Sequence, residues 1–557
     1  MVIDLAKLAT IGLLGLLAPY LWLSPAQERL TELLTDRDWV QLVLFVASFC
    51  TSVVAIAVVP FLRHWQLRLL FATVFLFSFA VDYLCREILG IRLIANMYAL
   101  IWTERSRPGP LLAYLSYILP ISAMMLFSGA IWLLPPSRRL TLGLRMNWLP
   151  VAALAMATVT VNRDFAKTDQ LPATVNLVAQ HIAMIIGGTN SQLLDGNFGT
   201  VKRRSVSYSE PAKPIYRNII LIIDESIRGD YLQINNAQLN TTPFLAAHSS
   251  DLINFGVAIS GTNCSGPSRF ILRTGLQPRQ LPDLERISTM EPTIWQYAHF
   301  AGMTTGHIDP WKGLRPFSSM MNGEEAQFID NIVNVTSEPK PTADDRVADA
   351  FIKALDDPRP KFLIVEKRGA HVPYSENLPD NDSYELSAGE TAHLMGTPES
   401  ARKDIHDYFN AVRWRVDHFF ERVLPHLART DTLTIYTSDH GQTMYEQNRP
   451  FTHCNATRAL PGEGWVPLFV FGPQDNFTNG LRQAANEGRT VSHFQIFSTL
   501  LLAMGYDKTY VRRNYGASLA DLAATEADQF YSPFIFGGKF SDWFPATRMT
   551  KHPAKGQ

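Results

Sequence analysis

Three short segments of this 557-residue chain carry side chains that could hold a metal ion and a nucleophile together. Thr437-Ser438-Asp439-His440-Gly441 follows the apolar run Leu433-Thr434-Ile435-Tyr436, so an Asp and a His stand side by side at the end of a buried strand. Both residue types are good zinc ligands, although Asp-His-Gly alone is also ordinary turn chemistry. Asn218 to Ile223 is a second apolar strand, and it ends in Asp224 and Glu225. In Cys264-Ser265-Gly266-Pro267-Ser268-Arg269, a Ser stands at a helix start with Pro267 in the first turn. A carboxylate, an Asp-His pair and a hydroxyl are what metal-assisted phosphoryl or sulfuryl transfer uses.

Each residue also has a plainer reading. Glu225 is a carboxylate near a helix start, favoured there by the dipole, and Ser265 fits a helix cap. Taken together, Glu225, Asp439 and His440 form the expected ligand set, with Ser265 as the fourth ligand and the nucleophile. A neutral Ser attacks poorly; a bound cation would lower its pKa. Thr262 is a rival hydroxyl. Ligands of N and O type suit tetrahedral zinc, with one ion or two, and manganese is compatible with the same donors.

These residues resemble the alkaline phosphatase and sulfatase superfamily. Within it the chain looks like the membrane-bound phosphoethanolamine transferases, relatives of the lipoteichoic acid synthases. Ser265-x-Pro267-Ser268-Arg269-x4-Thr274-Gly275 also fits the sulfatase signature position for position. The resemblance covers roughly residues 216–505. It implies that His371, in Gly369-Ala370-His371-Val372-Pro373, and His453, in Phe451-Thr452-His453-Cys454, contact the phosphate or the leaving oxygen. A His in such a place serves as general acid, or the pair ligates a second metal. Arg269 lies near the anionic group or braces the loop. Asn96 and Glu104 occupy positions that contact the lipid in the transferases, where Leu100 stands in place of an expected Thr. Sulfatases use paired carboxylates at Asp224-Glu225; transferases use the Glu alone.

The elements around these residues split into two kinds. Residues 1–161 are dominated by apolar runs. Five of them, near 5–23, 39–62, 67–84, 113–135 and 145–161, approach the roughly 20 residues that cross a bilayer. The first lacks a cleavage site and reads as a retained anchor. Arg63, His64 and Arg68 in one connection and Arg138, Arg139 and Arg145 in another orient the N-terminus to the cytoplasm. Everything after residue 161 then lies outside, in the periplasm of a bacterial inner-membrane protein. Residues 85–112 form an external connection with an interfacial helix at 91–100. Residues 162–215 read as a linker with a second interfacial helix. From 216 to 557 strands (218–223, 303–308, 362–366, 432–437, 467–472) alternate with helical patterns such as 342–355 and 401–424. That pattern indicates an α/β domain with a mostly parallel sheet, whose sites collect at the carboxyl ends of strands.

A net charge of −1 suggests no nucleic-acid partner. Four Cys are too few for a disulfide framework. Cys264 and Cys454 each neighbour a candidate site residue and are either a disulfide or two buried thiols. Many phosphoethanolamine transferases carry several disulfides in this domain, so their scarcity is a departure. The resemblance implies transfer of phosphoethanolamine from a phospholipid, phosphatidylethanolamine in the first instance, through a covalent Ser265 intermediate. The acceptor it implies is an envelope glycan or lipid A. The alternatives are a phosphoglycerol transferase, a sulfatase in which Ser265 is matured to formylglycine, and a non-catalytic binding module. The complete ligand set speaks against the last.

Overall fold

In the computed structural model the described residues are 2–16, 26–27, 30–31, 33–34, 39–89, 115–137, 147–163, 178–179, 202–208, 212–311, 319–321, 323–336, 338–379, 384–427, 431–448, 453–455, 458–521, 528–536 and 541–546. The chain forms two units, Met1–Asn197 and Phe198–Gln557. The division falls inside the expected linker.

Among the described residues of the first unit, the long helices are α1 (Val2–Leu16), α2 (Trp39–Val58), α3 (Trp65–Leu89), α4 (Leu115–Leu133) and α5 (Leu149–Arg163). Each overlaps one expected span. By length and composition two stretches are able to cross a membrane: Trp39–Phe61, with a mean hydropathy of 2.7, and Trp65–Leu84, with 1.7. The apolar parts of α4 and α5, Ile118–Leu133 and Leu149–Thr160, are shorter. Polar side chains stitch these helices together. Lys7 Nζ donates to the carbonyls of Pro60, Trp132 and Leu134, which end neighbouring elements. Trp132 Nε1 donates to Thr10 Oγ1 at 2.9 Å. The interfacial segment at 91–100, with Asn96 and Glu104, lies outside the described residues.

The second unit is built on a seven-stranded sheet of order β2-β7-β6-β1-β5-β3-β4. Its strands are β1 (Asn218–Asp224), β2 (Ile253–Ile259), β3 (Thr304–Asp309), β4 (Asn331–Asn334), β5 (Lys361–Glu366), β6 (Thr432–Ser438) and β7 (Trp465–Phe471). The five strands β6-β1-β5-β3-β4 run parallel, and β7 is antiparallel to β6 and β2. Parallel strands buried on both faces read as continuous apolar runs, which is why β1, β5 and β6 were legible. On β1, Ile219, Leu221 and Ile223 enter one core, whereas Ile220 and Ile222 enter the other. The two strands of this sheet missing from the sequence reading are β2 and β4. In β2 the register shifts between Asn254 and Val257, and Gly256 adopts φ +78°, so the two-residue alternation is broken there. β4 is a four-residue edge with no buried side chain.

Helices α6 (Ser265–Thr274), α7 (Ala343–Leu355), α8 (Glu399–Val412) and α9 (Phe419–Leu427) flank the sheet. A π-helical turn at Arg413–His418 separates α8 from α9, where an unbroken helix was expected. Such turns are rare and re-aim backbone carbonyls.

Candidate active site and metal centre

Parallel pairing of β1 with β6 aligns Asp224 with Ser438. The residues that follow, Glu225 and Asp439, therefore leave the sheet side by side at its carboxyl edge. The Asp439 N–H donates to the Asp224 carbonyl at 2.9 Å and locks this register. Helix α6 starts at Ser265 and ends on Gly275, whose φ of +68° closes it in the left-handed conformation. Its first residue points into the same space. Ser265 Oγ lies 3.3 Å from Glu225 Oε1 and 3.1 Å from His440 Nε2.

The ligand atoms of Glu225, Asp439 and His440 lie within 4.8 Å of one another, and all three residues are buried. His440 Nδ1–H donates to the Gly441 carbonyl at 2.6 Å, so in the neutral imidazole the Nε2 lone pair faces Ser265. Holding one imidazole nitrogen with a carbonyl is how ligand histidines are oriented toward metals. Asp439 Oδ1 accepts the backbone N–H groups of Ser226 (3.1 Å) and His440 (2.8 Å). Its other oxygen, Oδ2, is buried and faces the Arg269 guanidinium, 3.0 Å from Nη2. Burial and the neighbouring Glu225 push the Asp439 carboxyl up to about 7. Burial would lower His440, but the two carboxylates outweigh it and raise the imidazole to about 9. Burial works against Glu225 ionisation too, yet the His440 hydrogen bond and the Arg269 charge hold it well below the usual range. Two buried carboxylates crowded together favour positive charge beside them. These donors fit a divalent cation of zinc type.

Arg269 supplies a fixed cation beside them. Its Nη2 lies 2.6 Å from Glu225 Oε2 and 3.0 Å from Asp439 Oδ2, and its Nη1 lies 3.0 Å from Glu366 Oε2. Asp224 faces away from the cluster: Lys367 Nζ sits 2.5 Å from its Oδ2, both side chains fully buried. Of the paired carboxylates at the end of β1, Glu225 alone faces the nucleophile. The rival hydroxyl, Thr262, turns back on its own loop, donating to the Cys264 carbonyl at 3.1 Å. His453 stacks on His440 with ring centroids 4.3 Å apart, and His371 lies 6.5 Å from His453. Burial and the neighbouring His440 hold the His453 imidazole well below its ordinary value. The Cys264–Cys454 pair forms a disulfide, settling the alternative left open by the sequence. This bond ties the loop of His453 to the residue before Ser265.

The sulfatase family model matches residues 217–506, just over half of the chain. The chain belongs to the sulfatase family. Kdo(2)-lipid A phosphoethanolamine 7''-transferase of Escherichia coli is 23% identical over 392 residues, covering 65% of this chain and 66% of that relative, a little under two thirds of its length. The integral membrane lipooligosaccharide phosphoethanolamine transferase A from Neisseria meningitidis superposes with a TM-score of 0.51 at 17% identity, over 89% of this chain and 95% of that one. The C-terminal periplasmic domain of EptC from Escherichia coli, solved in complex with Zn, gives a TM-score of 0.49 at 18% identity, over 61% of this chain and 94% of that one.

Sequence reasoning missed three residues of this sulfatase-family site. Glu366 and Lys367 stand at the carboxyl end of β5, beside β1, the same positional signal that picked out Glu225. Trp311, just beyond β3, presents its ring to Arg368 at 4.9 Å, to Arg269 at 5.8 Å and to His371 at 5.4 Å. Nothing in its local sequence distinguished it. His493 bridges Ser268 Oγ and Thr437 Oγ1 at 3.1 Å each.

Proposed function

We propose that the chain moves phosphoethanolamine from a membrane phospholipid to a lipid A or related envelope acceptor through a covalent intermediate on Ser265. The observation that carries this reading is the meeting of Ser265 Oγ with Glu225 and His440. Its support is the likeness to lipid A phosphoethanolamine transferases.

Glu225, Asp439 and His440 would hold the metal, with Ser265 completing the set. When bound, the ion would stabilise the alkoxide and the negative charge on the phosphoryl oxygens. Ser265 Oγ attacks phosphorus in line with the leaving diacylglycerol oxygen. The Oγ–P bond forms as the P–O bond to diacylglycerol breaks, and that oxygen takes up a proton. His453, stacked on His440, and His371 beyond it would contact the bound phosphate. Held neutral, His453 donates an N–H to a phosphoryl oxygen, and His371 supplies the proton to the leaving oxygen. A hydroxyl or phosphate of the acceptor then attacks the same phosphorus and frees Ser265. Donor and leaving group both stay in the bilayer, which gives the five apolar helices a purpose as a multi-pass inner-membrane anchor with the catalytic unit in the periplasm. Phosphatidylethanolamine is the donor of this reading, and Asn96 and Glu104 would face it.

A second reading rests on Ser265-Gly266-Pro267-Ser268-Arg269, the sequence in which sulfatases mature the first residue to formylglycine. Lys367 on Asp224 weighs against it, because the paired carboxylate of sulfatases is then taken. The test is detergent-solubilised full chain with fluorescent phosphatidylethanolamine and lipid A. Metal-dependent release of fluorescent diacylglycerol supports transfer; release of sulfate from an aryl sulfate, with no diacylglycerol, would replace it.

A further inference from the structure

We infer that Glu366, with His307 behind it, is a positioning residue that sets which carboxylate oxygens the catalytic metal meets. The inference rests on the metal-site reading above. Glu366 is 1% exposed and ends β5, next to the strand that carries Glu225. Its Oε2 holds Arg269 Nη1 at 3.0 Å, and its Oε1 lies 3.3 Å from His307 Nε2 on β3. Ser319 Oγ accepts from the same Nη1 at 2.9 Å. With Nη1 drawn aside, only Nη2 of Arg269 reaches the metal-binding carboxylates, at Glu225 Oε2 and Asp439 Oδ2. Glu225 Oε1 is thereby turned toward Ser265 and His440.

Charge supports the same role. Around this one guanidinium stand Glu225, Asp439 and Glu366, so carboxylates outnumber the cation and the cluster favours a further positive ion. Without Glu366, the full guanidinium charge would fall on Glu225 and Asp439 and compete with that ion. His307, Asp309 and Glu366 also bring three ligand atoms within 4.8 Å. Glu366 turns one oxygen to Arg269 and the other to His307, whereas Glu225 keeps Oε1 toward Ser265 and His440, so Glu366 acts as a brace and not as a ligand. Residues that orient metal ligands commonly change metal affinity on the order of 10- to 100-fold when removed.

The experiment is zinc binding to the full chain in detergent, read by competition with a chromophoric chelator. The wild type, Glu366→Gln, Glu366→Ala, Arg269→Met and the Glu366→Ala/Arg269→Met pair are compared. The wild type is expected to take one equivalent. Glu366→Ala should weaken binding by about 10- to 100-fold, and Glu366→Gln, which keeps the shape, by less, with the unfolding temperature of its metal-free form unchanged. In the Arg269→Met background, removing Glu366 should change affinity by less than about twofold, because the brace then has nothing to hold. Should Glu366→Ala fail to fold, Glu366→Gln carries the comparison. Wild-type affinity in both Glu366 variants overturns the inference, as does a second zinc equivalent that disappears with Glu366. A wild type that binds no zinc overturns the metal reading itself, a different and recognisable failure.

Discussion

His440 Nε2 lies 3.1 Å from the Ser265 hydroxyl oxygen while its Nδ1 is held 2.6 Å from the Gly441 carbonyl. One nitrogen is thus committed to the backbone and the other to the nucleophile. Ser265→Ala removes the attacking oxygen but keeps Glu225, Asp439 and His440. Zinc binding should survive, weakened modestly, while transfer falls by at least about 10³-fold, as nucleophile deletions do. Near-normal turnover of this variant in the fluorescent-lipid assay would move the nucleophile elsewhere.

Lys367 and Asp224 form a fully buried ion pair, with Nζ also donating to the Arg415 carbonyl at 2.5 Å. The π-helical turn at Arg413–His418 delivers that carbonyl. Burial pushes the Asp224 carboxyl up, and Lys367 is the main counterweight. Lys367→Met strands the carboxylate and should cost about 3–5 kcal/mol in denaturant unfolding. Adding Asp224→Asn should recover a large part. A loss below about 1 kcal/mol would mean that the pair does not hold the strand ends.

His493 is buried and neutral: Ser268 donates its own proton to the Asp439 carbonyl, so its oxygen accepts from the imidazole. Burial pushes His493 down to about 3, below its ordinary value near 6.5. The unfolded chain therefore takes up a proton between about pH 6.5 and 3 that the folded chain refuses. Stability is fully present above pH 6.5 and falls as pH drops, by about 1.4 kcal/mol per unit for this group. His493→Gln should flatten the acid limb of the unfolding-temperature profile by about one proton. An unchanged limb would assign the acid sensitivity to other groups.

The Cys264–Cys454 disulfide spans 190 residues and joins the loops of Ser265 and His453. Cys454 N–H also donates to the Asn263 carbonyl at 2.8 Å. Replacing both Cys by Ser should lower stability by about 2–5 kcal/mol and slow transfer more than it weakens zinc binding, because Glu225, Asp439 and His440 lie on other segments. Equal unfolding with and without reductant would deny the bond a stabilising role.

Much of the fold was readable because its central strands are buried on both faces and so are apolar without interruption. The residues after β1 and β6 stood out as polar groups at the ends of those runs. β4 was lost because an exposed four-residue edge needs no apolar pattern, and β2 because its bulge breaks the alternation. Glu366 was overlooked although it ends β5 just as Asp224 ends β1. Its significance depends on Arg269 reaching it across 97 residues, a contact that only the packing reveals. Nor did spacing separate Asp224 from Glu225, since adjacent residues leave a strand on opposite faces, and only the packing shows Asp224 turned to Lys367 and Glu225 to Ser265.

The most direct test of the account is peptide mass spectrometry of residue 265 in full-length protein purified from its own membranes and quenched in acid during turnover. A phosphoethanolamine adduct on Ser265 is expected to form with lipid donor and to disappear when lipid A is added. Formylglycine at 265, or an adduct carried by Thr262 instead, would contradict it.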